Sequence, residues 1–282
     1  MGFKTKKPAW LKRELPVGPG YEKVRNLLST ARLTTVCQEA NCPNMWECFS
    51  NQTATFMILG SQCSRNCRFC NITTSGELPP PDPDEPERVA VAAEKLGLNY
   101  VVVTSVTRDD LEDGGAGHFA KTIAELKKIG TRVEVLIPDF QGDANALNTV
   151  IQAGPDVLNH NIETVPSMYA AARPQADYHQ SLELLYRASL MGIPVKSGIM
   201  VGLGETREEL EATILDLYCY GCSFLTIGQY LQPSRQHLPV AAYYSPEAFD
   251  SLKRFARATG FKKIASGPFV RSSYQAGTFL DD

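Results

Sequence analysis

Residues 37–70 read CQEANCPNMWECFSNQTATFMILGSQCSRNCRFC and hold most of the eight cysteines in the chain. These cysteines form two triplets: C-x4-C-x5-C at Cys37, Cys42 and Cys48, and C-x3-C-x2-C at Cys63, Cys67 and Cys70. A structural zinc site usually takes four protein ligands, and a disulfide framework needs pairs. Three thiolates on a cubane iron–sulfur cluster instead leave one iron open to another ligand. The spacing therefore favours two iron–sulfur sites.

The apolar run Thr55–Leu59, between the triplets, predicts a short buried strand. Strand-like runs then alternate with amphipathic helix patterns, one unit every ~30 residues, which is typical of parallel βα units. The predicted strands are 55–59, 100–104, 133–137, 157–158, 194–201 and 224–227. These patterns predict an α/β fold, a partial (β/α)6 TIM-like barrel with N-terminal and C-terminal extensions. A doubly wound open sheet stays open as the structural alternative.

Three units follow from this pattern. Residues 1–53 form an N-terminal arm that carries the first triplet, and residues 54–232 form the partial barrel. Residues 233–282 form a C-terminal extension, with a helix predicted at 246–259 and a strand at 262–266.

Composition and charge restrict the function. Hydrophobic residues make up 43% and charged residues 21% of the 282 positions, which indicates a folded globular chain. The net charge of −3 gives no reason to expect a nucleic-acid partner. We expect no membrane partner, because no apolar run approaches the ~18–20 residues that span a bilayer. Clustered cysteines without a secretory signal favour a reducing, cytoplasmic location.

Polar residues follow the predicted strands at the ends where βα barrels place their active sites. Strand four leads to Asn161 and Glu163, and strand five carries Lys196 and Ser197 and leads to Gly202, Gly204 and Glu205. Each of these residues, taken alone, would be interpreted as an ordinary loop residue exposed to solvent. Their joint placement predicts one site at the C-terminal face of the barrel.

The second triplet, with Phe69 directly before its last cysteine, resembles the radical S-adenosylmethionine superfamily. The resemblance implies a [4Fe–4S] cluster on Cys63, Cys67 and Cys70, whose open iron binds S-adenosylmethionine. The Gly202-Leu203-Gly204-Glu205 segment resembles the backbone platform that holds the methionine or adenosine part of this cofactor. The resemblance further implies cofactor contacts from Asn161, Glu163, Lys196 and Ser197.

The first triplet narrows the resemblance to the lipoyl synthase family. The resemblance to this family covers nearly the whole chain. It is seen in the segments TSVTRDDLEDGGA, EVLIPDF, HNIETVP, KSGIMVGLGET, TIGQYLQPS and VRSSY. It implies a second, auxiliary [4Fe–4S] cluster on Cys37, Cys42 and Cys48. A serine of the Arg-Ser-Ser-Tyr segment would be its fourth ligand; we favour Ser273, and the sequence leaves Ser272 open.

In that family the reaction is sulfur transfer in lipoate biosynthesis. Two sulfur atoms from the auxiliary cluster enter carbons 6 and 8 of a protein-bound octanoyl-lysine. The implied partners are an octanoylated lipoyl carrier domain of a 2-oxoacid dehydrogenase or the glycine cleavage H protein, a reducing electron donor, and an iron–sulfur carrier that rebuilds the cluster.

Two alternatives to this function remain open from the sequence. One is another reaction of a two-cluster radical enzyme. The other is an iron–sulfur redox sensor or metal-binding module, which would not need polar loops at one end of a barrel. The remaining cysteines, Cys219 and Cys222, lack a second pair or a nearby histidine, and we predict that they pack in the core.

Overall fold

The computed structural model describes residues 7–11, 19–31, 33–39, 42, 44, 47, 55–274 and 276–280. The strands in this part are β1 (Thr34–Thr35), β2 (Thr55–Ile58), β3 (Gln62–Cys63), β4 (Thr73–Thr74), β5 (Tyr100–Ser105), β6 (Arg132–Leu136), β7 (Val157–Asn159), β8 (Val195–Val201), β9 (Phe224–Gln229) and β10 (Lys263–Gly267). The α-helices are α1 (Pro19–Thr30), α2 (Val36–Glu39), α3 (Glu85–Leu96), α4 (Ala116–Lys128), α5 (Ala144–Gln152), α6 (Tyr169–Ala172), α7 (Tyr178–Leu190), α8 (Arg207–Cys219) and α9 (Pro246–Thr259). Short 3-10 turns lie at Ala9–Leu11, Phe140–Gly142, Pro166–Met168 and Ala276–Phe279.

Eight strands form the main sheet in the order β1-β2-β5-β6-β7-β8-β9-β10. From β2 to β10 every neighbouring pair is parallel, and β1 adds antiparallel to β2. The predicted partial βα barrel is therefore confirmed, with a seventh parallel strand, β10, from the C-terminal extension. The unit boundaries at 53/54 and 232/233 stay predictions.

The outer layer of helices follows the predicted periodicity. Val89, Ala92, Ala93 and Leu96 of α3 are all buried, as their helical spacing predicts. Helix α3 ends at Leu96 and is capped by Gly97, whose φ of 67° suits glycine at a C-terminal cap. No helix in the described ranges is long and apolar enough to cross a membrane.

The core lies between the sheet and these helices. Fully buried strand residues such as Val103 and Leu225 pack in one cluster with helix residues such as Phe119 and Leu252. Burial of each side chain of this size contributes about 1.5–3 kcal/mol. This continuous core fixes the strand ends from which the loops of the site emerge.

The interior of the barrel is more polar than the apolar strand patterns predict. Glu134, Asn159, Lys196 and Gln229 lie on strands and are completely buried. Buried polar groups need hydrogen-bond partners. Nδ2 of Asn159 and Nζ of Lys196 donate to Glu134, and Nε2 of Gln229 donates to the Val201 carbonyl. The inner face of the barrel therefore contains a network of polar contacts.

Candidate active site

The loop that carries Cys63, Cys67 and Cys70 begins at a strained elbow directly after β2. Leu59 has a φ of 68°, in the left-handed region that side chains rarely adopt. Its N–H donates to Oε2 of Glu85 at 2.8 Å, and its carbonyl accepts from Nη1 of Arg108 at 3.3 Å. Both partners are buried. Strain of this kind persists where the surroundings fix it, and it clusters at functional sites.

The three thiols lie on a short, braced loop beyond this elbow. The Cys63 Sγ accepts from the backbone N–H groups of Arg65 at 3.4 Å and Thr107 at 3.3 Å. The Cys70 N–H donates to the Cys67 carbonyl at 3.0 Å. Nε2 of His237 hydrogen-bonds the Cys70 carbonyl at 2.9 Å. The triplet is thus positioned by backbone and side-chain contacts from several loops.

The surroundings of the thiols suit a cationic ligand. Burial raises the pKa of Cys67, and the nearby charge of Arg173 opposes that rise. Burial also raises the pKa of Cys70, to about 12. Because metals bind the thiolate, Cys67 and Cys70 need positive charge from a ligand to stay ionised.

The arrangement is compatible with a cluster. In the described part of the chain, no three His, Cys, Asp or Glu side chains converge on one ion position. A cubane cluster does not require that, since each thiolate binds a different iron. The donor set of Cys63, Cys67 and Cys70 therefore fits an iron–sulfur cluster.

Arg65, within the cysteine loop, joins two carboxylates at the ends of β5 and β6. It forms paired hydrogen bonds with Asp109 (2.7 and 2.8 Å) and with Asp139 (2.7 and 2.6 Å). Burial alone would raise the pKa of Asp139, but the hydrogen bonds and charge of Arg65 lower it to about 2. The stabilisation is thus complete above the unfolded-state pKa of about 4 and is lost as the pH falls toward 2.

Replacing Asp139 by asparagine should lower the free energy of unfolding by about 3 kcal/mol at neutral pH. The reason is that the guanidinium of Arg65 stays buried with one countercharge fewer, while Asp109 retains part of the pairing. Anaerobic urea unfolding measures the change. Asp82→Asn is the matched control, because Asp82 pairs with Arg88 at the surface and should leave the midpoint unchanged. Equal effects of the two variants would show that the Arg65 pair does not hold the loop.

A cavity of about 820 Å³ lies between the barrel, the N-terminal arm and the C-terminal segment. Its lining includes thiols of both triplets and both adjacent serines: Cys37, Cys42, Cys70, Ser272 and Ser273. Cys48 lies outside the described residues. For the residues that the structure describes, the cavity thus brings members of both triplets to one space.

Two hydrogen bonds join the N-terminal arm to the C-terminal segment beside this cavity. Nδ2 of Asn44 donates to the Phe269 carbonyl at 2.6 Å. The Tyr274 hydroxyl donates to Oε1 of Glu47 at 2.8 Å. The segment 269–274 is therefore held against the part of the chain that carries the first triplet.

Asn161 and Glu163, after β7, also reach the cavity. Nδ2 of Asn161 donates to Oε1 of Glu163 at 3.1 Å and to the Ser272 hydroxyl at 2.6 Å. Glu163 has a φ of 69°, a second strained position in this site. Burial raises the pKa of Glu163, and the charge of Arg173 opposes that rise. Oδ1 of Asn161 is buried without a hydrogen-bond partner, which leaves an acceptor for a ligand.

Arg173 is a site residue that the sequence reasoning missed. Its Nη1 donates to the carbonyls of Asn161 (3.1 Å) and Ile162 (3.2 Å), while its buried Nε has no partner. Its charge acts on both Cys67 and Glu163, so it lies beside the cysteine loop. The available signal was a lone arginine in the apolar stretch YAAAR after β7.

The structure does not bring Lys196 and Ser197 to the cavity. Both are completely buried within the barrel. Nζ of Lys196 pairs with the Glu134 carboxylate at 2.9 and 3.2 Å. The Ser197 hydroxyl donates to the His160 carbonyl at 2.8 Å and accepts from the Ile162 N–H at 3.2 Å. Their polar atoms are therefore engaged inside the protein.

The Gly202–Glu205 segment forms a tight turn after β8, closed by its own carboxylate. Glu205 accepts from the N–H groups of Gly202 (2.6 Å), Leu203 (2.8 Å) and Gly204 (3.0 Å). Gly202 has a φ of 99°, and a Cβ there would lie 2.4 Å from the Ala242 carbonyl oxygen. The glycine is required by this close approach, and the three N–H groups are already bonded to Glu205.

Gly228, at the end of β9, allows the C-terminal segment to pass close to the sheet. A Cβ at this position would lie 2.1 Å from the Val270 carbonyl oxygen. Gly228→Ala should therefore reduce the free energy of unfolding by about 1–3 kcal/mol through overpacking, measured by urea unfolding. Gly267→Ala is the matched control, since it pairs with Gly228 in register and its nearest contact is 3.6 Å away. A neutral Gly228→Ala would show that the segment does not press on β9.

Two family models match the chain. The radical SAM superfamily matches residues 57–217, and the N-terminal domain of lipoyl synthase matches residues 2–42. Among curated relatives, lipoyl synthase of Oleidesulfovibrio alaskensis is 55% identical over 98% of this chain and 95% of its own length. Lipoyl synthase of Nitratidesulfovibrio vulgaris is 56% identical over 95% of this chain and 91% of its own length. This chain belongs to the lipoyl synthase family.

Structural comparison agrees with that fold. SuiB of Streptococcus suis, in a crystal structure with S-adenosylmethionine, superimposes with a TM-score of 0.59 at 9% identity, over 86% of this chain and 54% of that one. At this identity the likeness concerns the fold alone. As a lipoyl synthase family member, the chain is a radical S-adenosylmethionine enzyme, a sulfurtransferase of lipoate biosynthesis that uses [4Fe–4S] clusters.

The two cysteines outside the triplets lie apart from this family site. Cys222 is buried, which confirms the predicted packing role. Cys219 is exposed on α8, so the same prediction is wrong for that residue. The reason is that Cys219 is the last residue of its helix and points away from the core that Cys222 enters.

Proposed function

We propose that this enzyme inserts two sulfur atoms, at carbons 6 and 8, into an octanoyl group carried on a lysine of a lipoyl carrier domain. The observation that carries this proposal is the cavity lined by thiols from both triplets and by Ser272 and Ser273. A reaction that removes hydrogen from a saturated chain and then adds sulfur needs both centres beside the same substrate. The volume of about 820 Å³ lies within the range of small-molecule sites.

In this proposal Cys63, Cys67 and Cys70 hold the first [4Fe–4S] cluster. The buried Glu163 carboxylate and the Arg173 guanidinium have charges that complement the amino and carboxylate groups of S-adenosylmethionine. The unpartnered atoms, Oδ1 of Asn161 and Nε of Arg173, add an acceptor and a donor for the same groups. These side chains bind and orient the cofactor and exclude water from it.

Cys37, Cys42 and Cys48 hold the auxiliary cluster, with Ser273 as its fourth ligand. Ser272 already accepts a 2.6 Å hydrogen bond from Asn161, whereas among the described residues the Ser273 hydroxyl has no side-chain hydrogen bond. This difference favours Ser273. When bound, S-adenosylmethionine and the two clusters supply the radical that takes hydrogen from carbon and the sulfur that replaces it, because such carbons offer no acid–base route.

The rest of the cavity suits an alkyl chain. Its lining includes Val102, Leu136 and Met200, which lie on β5, β6 and β8. These side chains offer apolar contact along the chain and keep water from the reacting carbons. The substrate we propose is accordingly an eight-carbon acyl group that enters the cavity from a carrier domain.

The proposed partners follow from this chemistry. They are an octanoylated carrier domain of a 2-oxoacid dehydrogenase or the glycine cleavage H protein, an electron donor for the first cluster, and an iron–sulfur carrier for the auxiliary one. We also propose a cytoplasmic location, because two oxygen-sensitive thiolate clusters require a reducing compartment.

Anaerobic reconstitution and turnover with an octanoyl-lysine peptide test the proposal. We expect about eight irons per chain, two [4Fe–4S] clusters in all. We also expect deoxyadenosine together with lipoyl-lysine, identified by mass spectrometry. Two clusters and deoxyadenosine without any sulfur in the octanoyl peptide would overturn the substrate assignment. A single cluster per chain would overturn the two-centre site.

A further inference from the structure

A buried carboxylate that the proposed reaction does not use crosslinks four strands of the barrel. Glu134, on β6, is completely buried. It accepts from Nζ of Lys196 (2.9 and 3.2 Å), the Tyr100 hydroxyl (2.7 Å) and Nδ2 of Asn159 (3.1 Å). Tyr100 and Lys196 lie near the N-terminal ends of β5 and β8, whereas Asn159 is the last residue of the short strand β7. These hydrogen bonds therefore hold one buried ion pair, between Lys196 and Glu134, in a defined position inside the barrel.

The ammonium group of this network is covered by an aromatic ring from the C-terminal segment. Nζ of Lys196 lies 4.4 Å from the centroid of the Phe279 ring. Phe279 is itself buried and packs edge-on against Phe224, with 5.6 Å between ring centroids. A desolvated cation over an aromatic face is among the stronger cation–π arrangements. The buried ion pair thus has a specific contact with the far end of the chain.

The described residues of the C-terminal segment contact the strands at both of their ends. Ser272 contacts Asn161 at the C-terminal ends of the strands. Gly277 lies against the Tyr100 ring, and Phe279 reaches Phe224 at the N-terminal ends. A shift of Phe279 would move Ser272 and Ser273 relative to the cavity.

We propose that the Lys196–Glu134 pair is a positioning pair that anchors Phe279 and thereby fixes the register of the C-terminal segment. Replacing a buried ion pair by apolar residues is often neutral for stability, so stability alone does not account for these charges. A fixed ammonium gives the ring one preferred position, which an apolar wall would not specify. The consequence for catalysis rests on the proposed function, because the segment then positions Ser273.

Hydrogen exchange of residues 271–280 in the holoenzyme tests the anchor without reference to activity. Phe279→Leu, which keeps apolar volume and removes the ring, should accelerate exchange there by about tenfold. The double variant Lys196→Leu with Glu134→Gln should do the same, because it removes the ammonium and leaves no unpaired charge. Glu125→Gln with Lys128→Met removes an exposed ion pair on α4 and is the matched control, with no change expected.

A combined variant then shows whether the ring and the ion pair act together. In the Lys196→Leu, Glu134→Gln background, Phe279→Leu should add no further acceleration. Multiplied effects, or unchanged exchange in the double variant, would overturn the anchor. Since Phe279→Leu alters only the segment, unchanged exchange in that single variant overturns it even if the double variant fails to fold.

The ratio of deoxyadenosine to lipoyl product separates this inference from the proposed function. If the anchor positions the serine, the ratio rises in Phe279→Leu while deoxyadenosine formation persists. Accelerated exchange with an unchanged ratio supports the anchor and overturns the assignment of Ser273. Unchanged exchange with a raised ratio overturns the anchor and leaves that assignment standing.

Discussion

Cys63→Ala is expected to abolish deoxyadenosine formation, a loss of at least ~10³-fold or ~4 kcal/mol in the activation free energy. The Cys63 thiol is held by two backbone N–H groups, so its position in the loop is specified before any ligand binds. Without it the loop offers two thiols, and one iron of the cluster loses its protein ligand. Anaerobic turnover with chromatographic detection of deoxyadenosine measures the effect.

The iron content gives a second reading of the same variant. We expect about four fewer irons per chain, because the first cluster is not retained. Cys219→Ala is the matched control, as this thiol is exposed on α8 and should leave both iron content and turnover unchanged. Deoxyadenosine formation by Cys63→Ala near the wild-type rate would refute the assignment of the radical centre to this loop.

Ser273→Ala should reduce the lipoyl product without stopping cleavage of S-adenosylmethionine. Deoxyadenosine formation is expected to persist, because Cys63, Cys67 and Cys70 are untouched. Lipoyl product should fall by at least ~10²-fold, since the auxiliary cluster loses its fourth ligand. Mass spectrometry of the octanoyl peptide measures the product, and Cys37→Ala should show the same phenotype.

The neighbouring serine provides the control for this prediction. Ser272→Ala removes the acceptor of one hydrogen bond from Asn161, worth about 1 kcal/mol, so we expect a loss of about fivefold in turnover. A larger loss of product in Ser272→Ala than in Ser273→Ala would reverse the assignment. Undiminished product in both variants would remove the serine ligand altogether.

The sequence was sufficient wherever a local repeat decides the structure. The buried face of α3, from Val89 to Leu96, follows from its helical period, and the cysteine loop follows from its position after β2. The two-residue strands β1, β3 and β4 were not predicted, because two residues are too few to show the alternation of apolar and polar side chains that indicates a strand.

Contacts between distant residues set the limit of prediction. Lys196 was predicted to contact the cofactor because it lies on strand five, but its partner, Glu134, is 62 positions earlier and inside the barrel. A strand pattern does not show which interior charges pair. Arg173 was missed for the same reason, since only the folded chain places it beside Cys67. The proposal of Ser273 rather than Ser272 likewise rests on a distant contact, the hydrogen bond from Asn161 to Ser272.

The path of the C-terminal segment has a consequence for how the enzyme is assembled in the cell. Every strand of the barrel precedes Ser273 in the chain, and so does His237, which braces the cysteine loop. Under the proposed assignment the auxiliary centre therefore forms only once the C-terminal segment has docked, whereas the radical centre does not need Ser273. A chain whose segment has not docked is then expected to cleave its cofactor without giving product.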